Sequence, residues 1–170
     1  MTKDIAPPGT RLRVGVGYDA HRLARGLPLT LGGVAIAHDR GPSAHSDGDV
    51  LAHAIGDALL GAVGLGDLGE HFPNRDARWR GASSLLLLER IREMLDARGD
   101  RIVNVDATLI AEAPRIRPHV AKMRDALGRA LRIEPERVSV KATTNEGLGA
   151  LGREEGIAAH AVALVEAGGS

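Results

Sequence analysis

Ala44-His45-Ser46-Asp47-Gly48-Asp49-Val50-Leu51-Ala52-His53 gathers three oxygen-bearing side chains and two imidazoles around one helix start. Ser46 or Asp47 is suited to cap that helix, and Leu51, Ile55, Ala58, Leu59 and Ala62 then recur at helical spacing, so one face is core. At about 100° per residue, Asp49, His53 and Asp57 fall four apart on the side away from that stripe. An imidazole thus stands between two carboxylates. Neutral imidazole is a common metal ligand, and a carboxylate on its second nitrogen would fix its tautomer. The same letters also suit a solvated acidic face carrying one histidine.

Upstream, Leu12 to Tyr18 alternates at period two as a first strand and runs into Asp19-Ala20-His21, which sits at the strand end. Alternate residues share a strand face, so Asp19 and His21 point the same way. With His53 they make a set of two histidines and one aspartate, the kind a catalytic zinc uses when its fourth position stays open. An Asp-x-His pair alone is a weak signal. Gly32-Gly33, between Leu29–Leu31 and Val34–Ala37, supplies the positive φ of a tight hairpin.

Downstream, Gly64 to Gly69 is too rich in glycine to stay helical and opens a long loop that continues to Gly81. Ser83 caps a second helix with its stripe at Leu85, Leu88, Ile91 and Leu95. Val103–Ile110 reads as a strand, Pro118 suits the first turn of a third helix, and Val138–Ala142 reads as another strand. Gly156–Val165 is the last strand, although its alanines suit a helix nearly as well. Strands and helices interleave, so the class is α/β or α+β. The expectation is a single domain over 11–167 behind an N-terminal arm, residues 1–10, with a mixed sheet of four to five strands and helices on one face.

Composition narrows the chemistry. In 170 residues, 22 Lys and Arg balance 22 Asp and Glu, which leaves no field to attract nucleic acid or an anionic membrane. Without cysteine, a metal must be held by histidine and carboxylate. Tyr18, Phe72 and Trp79 are the whole aromatic set, too few for the stacking platforms of a single-strand binder. No apolar run approaches the roughly 20 residues of a spanning helix, and the first ten residues lack the apolar segment of a secretory signal. The expected protein is cytoplasmic, with no nucleic-acid or membrane partner.

Two further stretches carry candidate chemistry. Thr143-Thr144-Asn145-Glu146-Gly147 ends a strand with two hydroxyls, backbone donors and a carboxylate, which suits phosphate oxygens and a magnesium-type ion, or is a plain polar turn. Ala111-Glu112-Ala113-Pro114-Arg115 is a bend of small residues at which backbone groups could read a flat base. It serves equally as a connector whose Arg115 and Arg117 are solvated.

Taken together, Gly17-Tyr18-Asp19-Ala20-His21, Ala44 through Asp49, Asp57 through Gly61, Gly66-Asp67-Leu68-Gly69, Phe72-Pro73, Glu112-Ala113-Pro114 and Lys141 through Thr144 resemble the 2-C-methyl-D-erythritol 2,4-cyclodiphosphate synthase family. The resemblance runs from about Leu12 to Val165 with similar order and spacing. It implies a lyase of non-mevalonate isoprenoid synthesis. Such an enzyme converts 4-diphosphocytidyl-2-C-methyl-D-erythritol 2-phosphate to the 2,4-cyclodiphosphate, releases CMP, and is a homotrimer with active sites between subunits.

Carried over by position, the resemblance implies that Asp19, His21 and His53 hold one zinc per subunit, and that Glu146 holds a second divalent cation, Mg2+ or Mn2+. His45 and Thr144 would stabilise the transition state, and Ser46 would touch a substrate phosphate. Further substrate contacts would come from Ala20, from Asp67, Leu68 and Gly69, and from the segment Phe72, Pro73, Asn74, Arg75 and Asp76. The cytidine pocket would span Ala111, Glu112, Ala113, Pro114, Arg115, Ile116 and Arg117 together with Thr143, Thr144, Asn145 and Glu146. Arg153 matches a substrate-contacting arginine. The chain departs from the pattern at Asn74, where an Asp is common, at Arg115, in place of Lys, and at Ala150, in place of a bulky aromatic.

The implied reaction suits the residue inventory. A phosphate that attacks within one molecule is already an anion, so positioning and charge neutralisation suffice without a nucleophilic side chain. Two other readings use the same letters: a zinc phosphohydrolase with water in the open position, and a trimer that binds a nucleotide or isoprenoid without turnover.

Overall fold

Strand β1, Arg11–Arg25, is the longest element of the computed structural model, which describes residues 11–73 and 75–168. It is followed by β2 (Leu29–Leu31), β3 (Val34–Ile36), β4 (Arg40–Pro42), α1 (Val50–Ala62), α2 (Leu68–His71) and α3 (Ser84–Ala97). Then come β5 (Arg101–Ile110), α4 (Val120–Leu131), β6 (Val138–Thr143), α5 (Gly149–Gly152) and β7 (Gly156–Ala167). The five-stranded sheet has the order β4-β1-β7-β5-β6, with β7 antiparallel to both β1 and β5 and with β5 parallel to β6. A parallel neighbour requires a crossover, and α4 supplies it. The mixed sheet with its helices agrees with the expected class, and the arm of residues 1–10 lies outside the described residues.

Helix α1 packs directly on β1 and β7. The sequence permits this because β1 presents Gly15 and Gly17 to the helix and β7 presents Ala159, Ala161 and Ala163, all buried. A Cβ at Gly15 would fall 1.9 Å from the Ala58 carbonyl oxygen, and one at Gly17 the same distance from that of Ala54. Strand and helix therefore touch through bare backbone. The opposite sheet face leaves Leu12, Val14, Val16, Tyr18 and Val162 exposed.

Four expectations need correction. Asp19 and His21 lie within β1, not at its end, because Arg22 still pairs with Gly156 and Leu23–Arg25 pick up β4. Helix α1 is buried nearly all round, since α3 packs on it from the side away from the sheet, so its stripe is not one-sided. Its N-cap is Asp49, not Ser46 or Asp47: Gly48 at φ +69 turns the chain just before it. Between Gly64 and Gly81 the described residues include a helical turn, α2, capped by Asp67, and a 3-10 turn at Ala77–Trp79 capped by Asp76, in place of an unbroken loop. The Gly32-Gly33 hairpin and the Ser83 cap are as expected, and β7 is a strand. No helix among the described residues is long and apolar enough to cross a membrane.

Candidate metal and substrate site

Asp19 and His21 share the inner face of β1, two and four residues beyond Gly17. Gly17 admits the carbonyl of Ala54, so His53, the preceding residue of α1, is brought against Asp19. Asp19 Oδ2 lies 2.9 Å from His53 Nδ1 and 3.2 Å from His21 Nε2, and the two ring nitrogens are 3.4 Å apart. Among the described residues, this is the one group of three or more His, Asp or Glu side chains whose ligand atoms lie within 4.8 Å of one another. A tetrahedral ion with bonds of about 2.0–2.1 Å holds its ligand atoms roughly 3.3 Å apart. The triad has that spacing and that donor chemistry, so it fits a small divalent cation.

Electrostatics agree with the geometry. Burial alone would raise the Asp19 carboxyl, but hydrogen bonds and charge from His21 and His53 outweigh it and hold the group far below the ordinary carboxylate range. Burial alone would lower His53, but the bond to Asp19 and its charge outweigh it, and the ring is shifted upward. A cation or a proton is thus favoured between them.

The partners of His53 differ from those expected. Asp49 is fully buried and faces away: Oδ1 accepts from the N–H groups of Leu51 and Ala52 at 3.1 Å and of Gly32 at 2.9 Å, and Oδ2 accepts from Gly33 at 2.7 Å. Asp57 borders a cleft that the triad also lines, but its carboxylate accepts the Leu68 N–H at 2.8 Å. Burial raises the pKa of each despite those backbone donors. The groups that do meet His53 Nε2 are the hydroxyls of Ser84 at 2.9 Å and Ser46 at 3.2 Å. In the sequence Ser84 reads only as the start of α3, 31 positions from His53, with no local signal that ties it to the triad.

The triad opens into a cleft of about 240 Å³ bordered by His45, Ser46, Leu68, Gly69, Phe72 and Trp79. Asp67 lies alongside as the cap of α2, and Pro73 follows Phe72. Arg75 is exposed, Asp76 is engaged by Arg78 at 2.6 Å, and Asn74 lies outside the described residues.

The nucleotide candidates collect elsewhere. Ala111 donates its N–H to the Thr143 carbonyl at 3.1 Å, and Glu112 Oε1 accepts from Asn145 and Gly147 N–H at 2.8 and 3.3 Å. The two loops are thereby stapled, with a cis peptide between Ala113 and Pro114. Thr144 Oγ1 donates to Glu146 Oε1 at 2.8 Å, and Glu146 is held at φ +51. Arg115, Ile116, Arg117 and Lys141 line a second cleft of about 600 Å³. Arg153 pairs with Glu155 at 2.7 Å.

The sheet register measures the separation. Asp19, Ala159, Leu109 and Ala142 stand in one row across β1, β7, β5 and β6, so the triad and the strand leading to Thr144 are about 14 Å apart, three strand spacings. The structure brings Asp19, His21, His45, Ser46 and His53 together in one chain, and leaves Thr144, Glu146 and the Ala111–Arg117 loop apart from them.

The YgbB family profile matches residues 12–166. A protein of Symbiobacterium thermophilum named 2-C-methyl-D-erythritol 2,4-cyclodiphosphate synthase is 58% identical over 152 residues, 89% of this chain and 97% of its own. A solved structure of 2C-methyl-D-erythritol-2,4-cyclodiphosphate synthase with CDP bound superposes at a TM-score of 0.84 and 40% identity, over 91% of this chain and all of that one. The bifunctional IspDF of Campylobacter jejuni matches 95% of this chain at a TM-score of 0.90 and 37% identity, and this chain spans 44% of that longer one. The profile match over residues 12–166 and the identity of these relatives agree with the observed topology and the Asp-His-His triad: the chain belongs to the YgbB family.

Proposed function

We propose that this chain is a 2-C-methyl-D-erythritol 2,4-cyclodiphosphate synthase, a lyase of isoprenoid biosynthesis that closes the cyclic diphosphate and releases CMP. The observation that carries the reading is the Asp19–His21–His53 triad at the floor of a cleft edged by His45 and Ser46, in a chain 40% identical to a CDP-bound synthase.

Asp19, His21 and His53 hold one zinc, which when bound polarises a phosphoryl oxygen. Ser46 offers its hydroxyl to a phosphate, and exposed His45 places its ring at the cleft mouth, over the charge that develops as phosphorus changes partners. Thr144 acts from the nucleotide side of the substrate, and Glu146 would hold a second divalent ion, magnesium or manganese, which would supply charge neutralisation for the diphosphate. The Ala111–Arg117 bend and Thr143–Glu146 hold the cytidine, with Arg115 and Arg117 supplying charge. Positioning dominates, because the attacking 2-phosphate is an anion before it enters.

The 14 Å between the two groups in one chain makes the rest of the proposal: a homotrimer in which the triad of one subunit faces the nucleotide loop of the next. The apolar row Leu12, Val14 and Val16 on the uncovered sheet face supports such association. The site of action is cytoplasmic.

Purified protein given zinc, magnesium and the cytidyl substrate in ¹⁸O-labelled water is expected to release CMP and a cyclic diphosphate free of the label. CMP with a linear 2,4-bisphosphate carrying ¹⁸O would make it a zinc phosphohydrolase. Substrate binding without CMP release would make it a binding trimer.

A further inference from the structure

Behind the triad lies a contact that neither the sequence motifs nor the substrate assign. Ser84 is 1% exposed, and its hydroxyl meets two side chains: Asp47 Oδ1, by a short hydrogen bond, and His53 Nε2 at 2.9 Å. Asp47 Oδ2 also accepts the Ser84 backbone N–H at 2.9 Å. Ser84 does not itself cap α3, since Ser83 accepts the Leu85 N–H at 3.3 Å.

Counting protons decides the direction of this chain. An ionised carboxylate only accepts, so the single hydroxyl proton of Ser84 goes to Asp47. The serine oxygen is then left to accept, and the proton between it and His53 belongs to Nε2. An imidazole with its proton on Nε2 has its lone pair on Nδ1, the atom 2.9 Å from Asp19 Oδ2. Ser46 Oγ, 3.2 Å from the same Nε2, already accepts the Gly48 N–H and borders the cleft, so it is open to a ligand in a way that Ser84 is not.

We propose that Ser84, oriented by Asp47, is the positioning residue that fixes the tautomer and ring angle of His53 so that Nδ1 faces the cation site. The inference rests on the metal reading of the triad and adds the residues that make one of its ligands ready. It also gives Asp47 a task unlike that of a helix cap: one oxygen holds the backbone of α3, and the other holds the hydroxyl that holds the ligand.

Zinc affinity measured by competition with a chromophoric chelator tests this without any turnover. Wild-type protein is expected to bind one zinc tightly, and Ser84→Ala to bind it about tenfold more weakly. In Asp47→Asn, the amide NH2 must oppose either the Ser84 N–H at 2.9 Å or the Asp49 N–H at 3.3 Å. The longer contact yields, so the amide donates to Ser84 Oγ, the hydroxyl proton turns to His53, and zinc affinity falls at least as far. In the zinc-loaded wild type, the His53 Nε2–H should be a slowly exchanging ¹⁵N-coupled proton, and in Ser84→Ala it should exchange fast. Melting of the zinc-free variants separates folding from binding. If both variants keep zinc affinity within twofold while the zinc-free melting temperature drops, Ser84 only anchors α3 and the proposal is wrong. A wild type that binds no zinc removes the metal reading along with it.

Discussion

Asp49 Oδ2 accepts the N–H of Gly33 at 2.7 Å, so the carboxylate that starts α1 also closes the β2–β3 hairpin. Four backbone donors from two elements converge on one buried side chain, which joins the hairpin to the helix that carries His53. Asp49→Asn keeps the cap oxygen and sets an NH2 against the Gly33 N–H. Urea unfolding is expected to show a loss of about 1–3 kcal/mol, with one zinc still bound at saturating metal. Loss of zinc at full stability would return Asp49 to the support of His53 that the sequence suggested.

Gly17 is expected to tolerate no side chain. Its Cβ would meet the Ala54 carbonyl oxygen at 1.9 Å, and backbone cannot rotate away. Gly17→Ala should cost about 3 kcal/mol, the upper range for overpacking, and should weaken zinc binding by lifting His53 from Asp19. Gly61→Ala, with open space around its Cβ, serves as the control and should be near neutral. Equal melting temperatures for the two variants would refute the backbone contact.

The metal-free protein should show a pH window set by Asp19 and His53. Asp19 is depressed on folding, so its contribution is present above its ordinary 3.8 and is lost as pH falls through the lower folded value. His53 is raised on folding, so its contribution is fully present below its ordinary 6.5 and is lost as pH rises through the higher folded value. Chelator-treated wild type should therefore lose its margin over His53→Gln as pH rises above the ordinary 6.5 and through the raised folded value. With zinc present the order reverses, because proton and metal compete for Nδ1 and metal affinity falls as pH drops. A margin that grew with pH in the metal-free state would contradict the ion pair.

His45 and His53 should separate cleanly. His53→Ala is expected to lose both zinc and turnover. His45→Ala should keep zinc and substrate affinity and lose rate, since its ring stands exposed at the cleft and outside the triad. Zinc content measured beside single-turnover CMP release checks this. Retained stoichiometric zinc in His53→Ala, or its loss in His45→Ala, would reverse the assignment.

The parts of this site legible in the sequence are those that short spacing encodes. Asp19 and His21 share a strand face by period two, and Gly32-Gly33 declares its turn. The cap of α1 was displaced to Asp49 because Gly48 bends the chain, and the N–H groups that justify the choice come from a hairpin 16 and 17 positions upstream. The Ser84–Asp47 contact spans 37 positions and has no local period at all. Asp57 is one helical turn from His53, as the wheel predicts, yet the Leu68 N–H claims its carboxylate once α2 forms. In β7, read as a strand, small alanines left a helix nearly as open, and the room they make for α1 favours the strand.

The contact of Gly15 and Gly17 with Ala58 and Ala54 also bears on which ions the triad accepts. Where side chains cushion a strand from a helix, rotamer changes let the two slide by tenths of an ångström, and a binding set divided between them can widen. Here the gauge between β1 and α1 is set by main chain on main chain, which has no rotamers to spend. The bite of Asp19, His21 and His53 is consequently fixed before any ion arrives, and an ion much larger than the span it offers must sit outside the triad or do without one of its arms.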